Sequence, residues 1–247
     1  MSNLLRVAIN SFALFILSAS TAIYAEDKEI NNISSRLEFA LNNNPKLLFE
    51  NHPEKNQFEE ISNNYEKFKN RFPDAKWIIN PKQKVKENEF QLELLISGER
   101  SLQNHKFSLE AKQIIEIKSK NGNMIDYRVL SESSILKSLK SPLEVKLSIP
   151  NKVLTGSRYD ADIILENPLD DNFLSGGLIT LDRSKLNTLP SPYINITPLA
   201  SGGLFKSIQA PFKPGKQTLA ALLVHPKGII AITKIVEVVP TKEDISI

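Results

Sequence analysis

The spacing of apolar residues changes once along this chain, near Trp77, and this change constrains the fold more than any other feature. Between Glu26 and Asn80, apolar residues recur at intervals of three and four, which is typical of helices with one buried face. Beyond Trp77 they alternate with polar residues, which is typical of strands with one buried face. The sequence therefore predicts helices first and antiparallel strands afterwards.

The first segment predicts a long helix preceded by shorter ones. A stripe of apolar residues predicts a helix from about Glu54 to Arg71, and Pro73 ends it. Upstream, one or two short helices are predicted, broken near Pro45 and ended before Pro53. The apolar residues of the long helix are Phe58, Ile61, Tyr65 and Phe68, and those upstream include Leu37, Phe39, Ala40, Leu41, Leu47, Leu48 and Phe49.

Three strands are predicted next, around Phe90 to Ile96, Phe107 to Ile117 and Ile125 to Val129. Asn121-Gly122-Asn123 indicates a turn, because Asn and Gly adopt positive φ at low cost. Helices followed by this meander predict an α+β domain over residues 26–140.

Residues 141–247 predict an all-β domain of the immunoglobulin-like sandwich type, since many short alternating segments occur there without a helical pattern. Turns are predicted between the strands, among them Gly176-Gly177 and Gly202-Gly203. The predicted strands are Leu143 to Ile149, Tyr159 to Leu165, Leu178 to Leu181, Tyr193 to Ile196, Leu204 to Gln209, Gln217 to Val224 and Ile229 to Val239.

Residues 1–25 have the three-part layout of a secretory signal peptide. A short region containing Arg6 precedes an apolar stretch from Val7 through Leu17, and small residues follow. Cleavage is expected after Ala25 or, alternatively, after Ala22. The other interpretation is an uncleaved membrane anchor, which would be the protein's only expected contact with a membrane.

Composition excludes several function classes. Lys and Arg total 31 against 28 for Asp and Glu, so the concentrated basic surface that nucleic acid requires is not expected. The chain has no cysteine, which excludes disulfides, thiol nucleophiles and a lipid-modified N-terminal Cys. Nucleophile elbows, phosphate loops and dinucleotide fingerprints do not occur in the sequence, and the three histidines have no ligand partner at metal spacing. No cofactor, no metal and no catalytic residue is therefore predicted.

Two parts of the sequence resemble known protein families. The helices, Trp77 and the meander containing Leu94 to Arg100 and Phe107 to Gln113 resemble the cone of the nuclear transport factor 2 and ketosteroid isomerase superfamily. This resemblance implies helices packed on a curved antiparallel sheet, over roughly residues 30–140.

The second resemblance is to a family of exported cyanobacterial proteins of unknown function. It implies an envelope location, in the periplasm or the thylakoid lumen, and it implies no activity. The segments that carry it are Val153 to Asp162, Glu166 to Leu169, Ser175 to Leu178, Gly202 to Lys206 and Ala220 to Gly228.

A candidate pocket in the first half comprises Trp77, Gln113 and Tyr127. Gln113 falls on the same strand face as Leu109 and Ile115, and an amide there needs hydrogen-bond partners. It is interpreted either as a ligand contact or as an amide bonded to backbone or to Tyr127. Catalysis in a cone of this kind uses a buried carboxylate, whereas Glu93, Glu110 and Glu116 are expected on the opposite faces of their strands.

A candidate recognition surface lies in the second half, at Arg158, Tyr159, Asp160, Asp162, Phe205 and Lys206. Aromatic and cationic side chains suit interface anchors. The alternatives are a solvated face with a local ion pair and, for Phe205, a place in the core.

The sequence favours an exported, non-catalytic binding or assembly module that acts on a protein partner. The alternative is a small-ligand carrier or an enzyme that uses the cavity of the cone-like domain.

Overall fold

A computed structural model describes residues 24–43, 55–102, 104–120, 123–166, 173–182, 193–199 and 201–245. The helices of this part of the chain are α1 (Tyr24–Asn43), α2 (Lys55–Arg71) and a short 3₁₀ helix (Glu243–Ile245). The strands are β1 (Lys76–Lys86), β2 (Glu89–Leu102), β3 (His105–Lys120), β4 (Asn123–Ser138), β5 (Val145–Ser148), β6 (Lys152–Leu154), β7 (Arg158–Leu165), β8 (Leu174–Asp182), β9 (Thr197–Leu199), β10 (Gly203–Gln209), β11 (Gly215–His225) and β12 (Gly228–Val239).

The described strands form two sheets. The larger has the order β1-β2-β3-β4-β12-β11-β8-β9, with β6 paired in parallel to β12, and the smaller has the order β10-β7-β5. All other registered pairs are antiparallel. The described residues divide into two compact units, one of residues 101–108 and 131–245 and the other of residues 24–100 and 109–130. The division runs within β2, β3 and β4, while the predicted boundary at residue 140 lies between β4 and β5.

The α+β prediction, with helices packed on a curved, cone-like sheet, is wrong. The described chain is mostly β-structure with two α-helices and one large antiparallel sheet. The third strand of the meander is longer than the predicted segment from Ile125 to Val129, because β4 runs from Asn123 to Ser138 and pairs with β12 through Glu132 to Lys137. The second half of β4 contains buried polar residues, so the alternation of apolar and polar residues does not reveal it as a strand. Ser134, for example, is satisfied by a 2.7 Å hydrogen bond to Thr233 on the neighbouring strand.

The long helix prediction is confirmed by α2, whereas the short upstream helices are replaced by one 20-residue helix, α1. Ile30, Ile33, Leu37, Ala40 and Leu41 are buried on it, at the spacing of a single helical face. The stretch 44–49 of that prediction lies outside the described residues.

Helix α1 also covers the outer edge of β1. The Asn42 side-chain amide donates to the Trp77 carbonyl at 2.8 Å, and its oxygen accepts the Trp77 N–H at 3.0 Å. The Glu38 carboxylate accepts the Ile79 N–H at 2.8 Å. These bonds satisfy backbone groups that an edge strand would otherwise leave open to another chain.

The second half forms the expected sandwich. Residues on alternate positions of β7 face the larger sheet, and the core has two clusters. One comprises Leu143, Ile163, Leu165, Leu174, Leu204, Ala221, Leu223, Ile230 and Ile232, and the other Val153, Tyr159, Ala161, Ile208, Ala210, Leu219, Val236 and Val238. With no cysteine in the chain, these clusters stabilise the sandwich by packing; each fully buried Leu or Ile contributes about 1.5–3 kcal/mol.

Gly176 and Gly177 lie inside β8, so the predicted turn there is wrong. Glycine is required because other chain segments pass very close. A Cβ at Gly177 would lie 2.1 Å from the Asn195 carbonyl oxygen, and one at Gly176 would lie 2.8 Å from the Leu222 carbonyl oxygen. The segment from Tyr193 to Ile196 was predicted as a strand, but it is irregular chain that crosses β8 at Gly177. Strand β9 begins after it, at Thr197.

The signal-peptide prediction lies mostly outside the described residues, as does Asn121-Gly122. Neither described helix has a stretch long and apolar enough to cross a bilayer.

Candidate functional site

The outer face of the smaller sheet carries most of the predicted recognition surface. In the antiparallel register, Phe205 lies opposite Asp162, Ser207 opposite Asp160 and Gln209 opposite Arg158. Directly opposed residues share one face of a sheet, so Arg158, Asp160, Asp162 and Phe205 project together. We call these four residues the Phe205 face.

Phe205 stands out on this face because half of its side chain is exposed, at 50%. A Cβ at Gly203 would lie 3.2 Å from Phe205 Cε2 and 2.7 Å from the Ile163 carbonyl oxygen. The aromatic ring therefore leans over Gly203, where no side chain displaces it. An apolar ring held against the sheet and open on one side has the form of an interface anchor.

The three charged side chains of the Phe205 face, one basic and two acidic, are available to a partner. Arg158 and Asp160 are exposed and Asp162 is half-buried. Within the described part of the chain, none of the three forms an ion pair. The Phe205 face therefore presents two carboxylates that are not engaged in ion pairs, next to an aromatic ring.

Tyr159 belongs to the core and not to the surface. Its side chain is 8% exposed, and its hydroxyl donates to Gln217 Oε1 at 2.8 Å. Burial raises the pKa of Tyr159 to about 12. Gln217 Nε2 in turn donates to the Gln209 carbonyl at 3.2 Å. Tyr159 thus fixes β7 and β10 from behind the Phe205 face.

Lys206 is exposed although its position would place it on the inward face. It alternates with the buried residues Leu204 and Ile208 on β10, an edge strand of the smaller sheet. A charge on the inward row of an edge strand discourages pairing with another chain. Lys206 is therefore better explained as edge protection than as a contact of the Phe205 face.

Trp77 of the predicted pocket is enclosed by other side chains. Tyr65 stacks on it with ring centroids 5.6 Å apart, Phe68 meets it edge-on at 5.6 Å, and Lys69 Nζ lies 5.4 Å from its ring centroid. Burial raises the pKa of Tyr65 and lowers that of Lys69. Gln113 is also buried, on the row of Phe107, Leu109, Ile115 and Ile117 as the alternation predicted.

Tyr127 lines a different kind of site, a cleft of about 300 Å³ bordered mainly by charged residues. Glu89 pairs there with Lys118 at 3.4 Å and with Lys86 at 3.8 Å, and Glu116 pairs with Arg128 at 3.3 Å. Neither Trp77 nor Gln113 borders this cleft. The structure therefore does not bring the three predicted pocket residues together.

The histidine and acidic side chains of the described residues do not assemble into a metal site. No cluster of His, Asp and Glu able to hold a metal occurs among those residues. His225 is buried, and its Nδ1 accepts the Lys227 N–H at 3.1 Å, which supports the β11–β12 turn.

Sequence reasoning missed Gly203 and Gln217, on which the Phe205 face depends. The sequence predicts a turn at Gly202-Gly203, whereas Gly203 is the first residue of β10, where the backbone of β7 approaches closely. Gln217 carried no local signal, because its partner Tyr159 is 58 residues away along the chain.

Residues 140–239 match a family model described as a domain of unknown function, DUF8623. The matched segment begins before β5 and ends with β12, so it coincides with the sandwich strands and includes the Phe205 face. The curated proteins contain no match to this chain.

Proposed function

We propose that this protein is an exported, non-catalytic module that binds a protein partner through the Phe205 face. The observation that carries the proposal is the half-exposed Phe205 ring, seated over Gly203 and opposed by Asp162. A buried aromatic anchor supplies most of the binding free energy in many interfaces.

The charges around Phe205 indicate what the partner presents. Asp160 and Asp162 lie beside the ring, with Arg158 at the end of the row. Complementary charges accelerate association and select the correct partner more than they add affinity. We therefore expect an apolar pocket flanked by lysine or arginine on the partner.

The exported location is part of the same proposal. It is supported by the signal-peptide layout of residues 1–25 and by the resemblance to exported cyanobacterial proteins. The compartment proposed is the periplasm or the thylakoid lumen.

The carrier or enzyme alternative has less support. It requires Trp77, Gln113 and Tyr127 to line one cavity, whereas Trp77 packs against aromatic rings and Tyr127 borders a cleft of charged residues. The Phe205 face is the better-supported site.

Affinity capture from membrane and soluble extracts of the source cells tests the proposal. The native protein should recover a defined partner, and Phe205→Ala should reduce recovery by about tenfold or more. Phe212→Ala is the matched control, because Phe212 is 83% exposed in the same sandwich but lies on a loop beside Gly156. Absence of a partner from both extracts, or equal recovery by the native and Phe205→Ala proteins, contradicts the proposal.

The charge of the partner needs a separate measurement. Replacing both Asp160 and Asp162 with Asn should slow association and weaken its dependence on salt. A partner bound with unchanged salt dependence would show that these carboxylates do not face it.

A further inference from the structure

The cleft of about 300 Å³ that Tyr127 borders crosses strands β1 to β4. We call it the charged cleft, because three acidic and three basic residues line it together with Tyr127. All of them belong to the unit of residues 24–100 and 109–130, and none belongs to the Phe205 face. The charged residues are Lys86 on β1, Glu89 on β2, Glu116 and Lys118 on β3, and Asp126 and Arg128 on β4.

Two carboxylates of the charged cleft are more sheltered than its basic groups. The side chains of Glu89 and Glu116 are 18% and 13% exposed, whereas those of Lys86, Lys118 and Arg128 are about half exposed or more. Glu116 and Lys118 alternate with the buried residues Ile115 and Ile117, so the charges lie on the outward face of β3. The charged cleft therefore presents cations at its rim, where an incoming ligand meets them first.

The ion pairs within the charged cleft are long. Lys118 Nζ lies 3.4 Å and Lys86 Nζ 3.8 Å from the Glu89 carboxylate, and Arg128 Nη2 donates to Glu116 Oε1 at 3.3 Å. A strong hydrogen bond between a charged donor and a charged acceptor is about 2.7–2.9 Å long. An ammonium carries three N–H donors, so a single contact with Glu89 leaves donors for a ligand. Exposed pairs of this kind contribute about 1 kcal/mol or less, so a ligand can rearrange them at little cost.

Asp126 adds an exposed carboxylate to the charged cleft. Its Oδ1 accepts the Tyr127 N–H at 2.9 Å, and among the described residues Asp126 forms no ion pair. Its second oxygen is therefore open to a cationic group. Asp126 and Arg128 lie two residues apart on β4, so they share a face of the strand. The charged cleft thus offers an acceptor for a cation beside donors for an anion.

We propose that the charged cleft binds a small zwitterion, a free α-amino acid. A ligand of one sign would meet repulsion from three of the six charges, whereas a zwitterion is attracted by both sets. Its carboxylate is bound by Lys118 and Arg128 at the rim, and its ammonium by Asp126. The volume is at the lower end of the range of about 300–1,000 Å³ for ligand sites, which suits a ligand of this size. This function is separate from partner binding at the Phe205 face.

Titration of the native protein with each standard amino acid in turn, at constant ionic strength, tests this site. Binding is followed by calorimetry and by the rise in Tm that a ligand of the folded state produces. At least one amino acid should bind saturably. Its N-acetyl derivative and its carboxamide, which each lack one of the two charges, should bind about tenfold more weakly or less. Equal binding of either derivative would overturn the proposal, because it would show that only one charge is recognised.

Two lysines on β3 provide a matched pair of variants. Lys118 and Lys112 are 48% and 50% exposed, and each pairs with a glutamate of β2, but only Lys118 lines the charged cleft. Lys118→Gln and Asp126→Asn should each weaken amino acid binding about tenfold or more, whereas Lys112→Gln should bind as the native protein does. Both substituted groups in the charged cleft are solvent-accessible, so the variants should fold. Absence of saturable binding by any amino acid, or equal affinity of all three variants, would overturn the proposal.

Discussion

At the scale of single residues, a buried hydroxyl defines the back of the candidate site. Tyr159 and Gln217 satisfy each other inside the sandwich at 2.8 Å, and Gln217 bonds onward to the Gln209 carbonyl. A buried polar pair of this kind specifies register, because any slip would leave both groups without partners. The same chain of bonds carries the strand on which Phe205 lies.

Tyr159→Phe should lower the free energy of unfolding by about 1–3 kcal/mol, because it leaves Gln217 Oε1 buried without its donor. Tyr193→Phe is the control, since Tyr193 is 84% exposed and should change stability by less than about 0.5 kcal/mol. Urea denaturation measures both. Equal stability of the two variants would contradict the role given to this hydroxyl.

The same hydroxyl predicts a pH dependence. Burial raises the pKa of Tyr159 from 10.0 to about 12, so the folded state keeps a proton that the unfolded chain releases first. Its contribution to stability is complete below about pH 10 and is lost as the pH rises towards 12. The stability difference between the native protein and Tyr159→Phe should therefore shrink between about pH 10 and about pH 12 in urea denaturation. A constant difference would contradict the shift.

Gly177→Ala should destabilise the sandwich by about 1–3 kcal/mol or prevent folding, because its Cβ would lie 2.1 Å from the Asn195 carbonyl oxygen. Ser175→Ala, two residues earlier on the same strand face, adds no atom and serves as the control. Thermal denaturation followed by circular dichroism compares them. An unchanged Tm for Gly177→Ala would show that the crossing segment moves freely.

At the scale of elements, helix α1 replaces a strand partner for β1. Asn42 bonds both backbone groups of Trp77, and Glu38 accepts the Ile79 N–H. The periodicity of α1 explains its buried face, but the edge contacts depend on polar residues at the margin of that face. In the sandwich, the exposed Lys206 protects the β10 edge by charge instead.

Asn42→Ala should cost about 1–3 kcal/mol of unfolding free energy, since two backbone groups of β1 lose their partner. Asn43→Ala is a closely matched control, because among the described residues the exposed Asn43 amide bonds to the Phe39 carbonyl of its own helix. Alanine favours the helix, so this control should be neutral or slightly stabilising. Equal effects of the two substitutions in urea denaturation would contradict edge protection by α1.

At the scale of the whole molecule, strand pairing in the large sheet determines where the chain can be cut without exposing a strand edge. The matched family segment, residues 140–239, contains β12 but lacks the β4 residues that pair with it. Residues Glu132 to Lys137 bond β12 from Ile230 to Ile235, which includes apolar side chains. A chain cut at residue 140 therefore exposes an edge with aggregation potential.

A fragment of residues 131–245 should accordingly be more stable and more soluble than one of residues 140–245. The difference arises because only the longer fragment keeps the antiparallel neighbour of β12. Urea denaturation and sedimentation velocity of the two fragments measure it. Equal stability and equal monomer content would show that β4 is dispensable for the sandwich.

Much of the local structure could be predicted from the sequence because it depends on neighbouring residues. The 3.6-residue period located α2, and the two-residue period located the inward row of β3, including the buried Gln113. The same alternation separates Asp160 and Asp162 from the buried row of β7 and places Tyr159 in that row, so including Tyr159 in the recognition surface went against the pattern. What the sequence could not supply is the partner of its buried hydroxyl, a glutamine 58 residues away.

The sequence by itself determined where helices end and strands begin, that no disulfide can form, and that the second half is a sandwich. The tertiary structure decided the sheet order, the use of glycines inside β8 and β10, and the separation of Trp77 from Tyr127. The physical reason is the distance along the chain between the residues that determine each feature. Periodicity records which side of an element is buried, whereas strand pairing and the close approach of backbones depend on residues that are far apart along the chain.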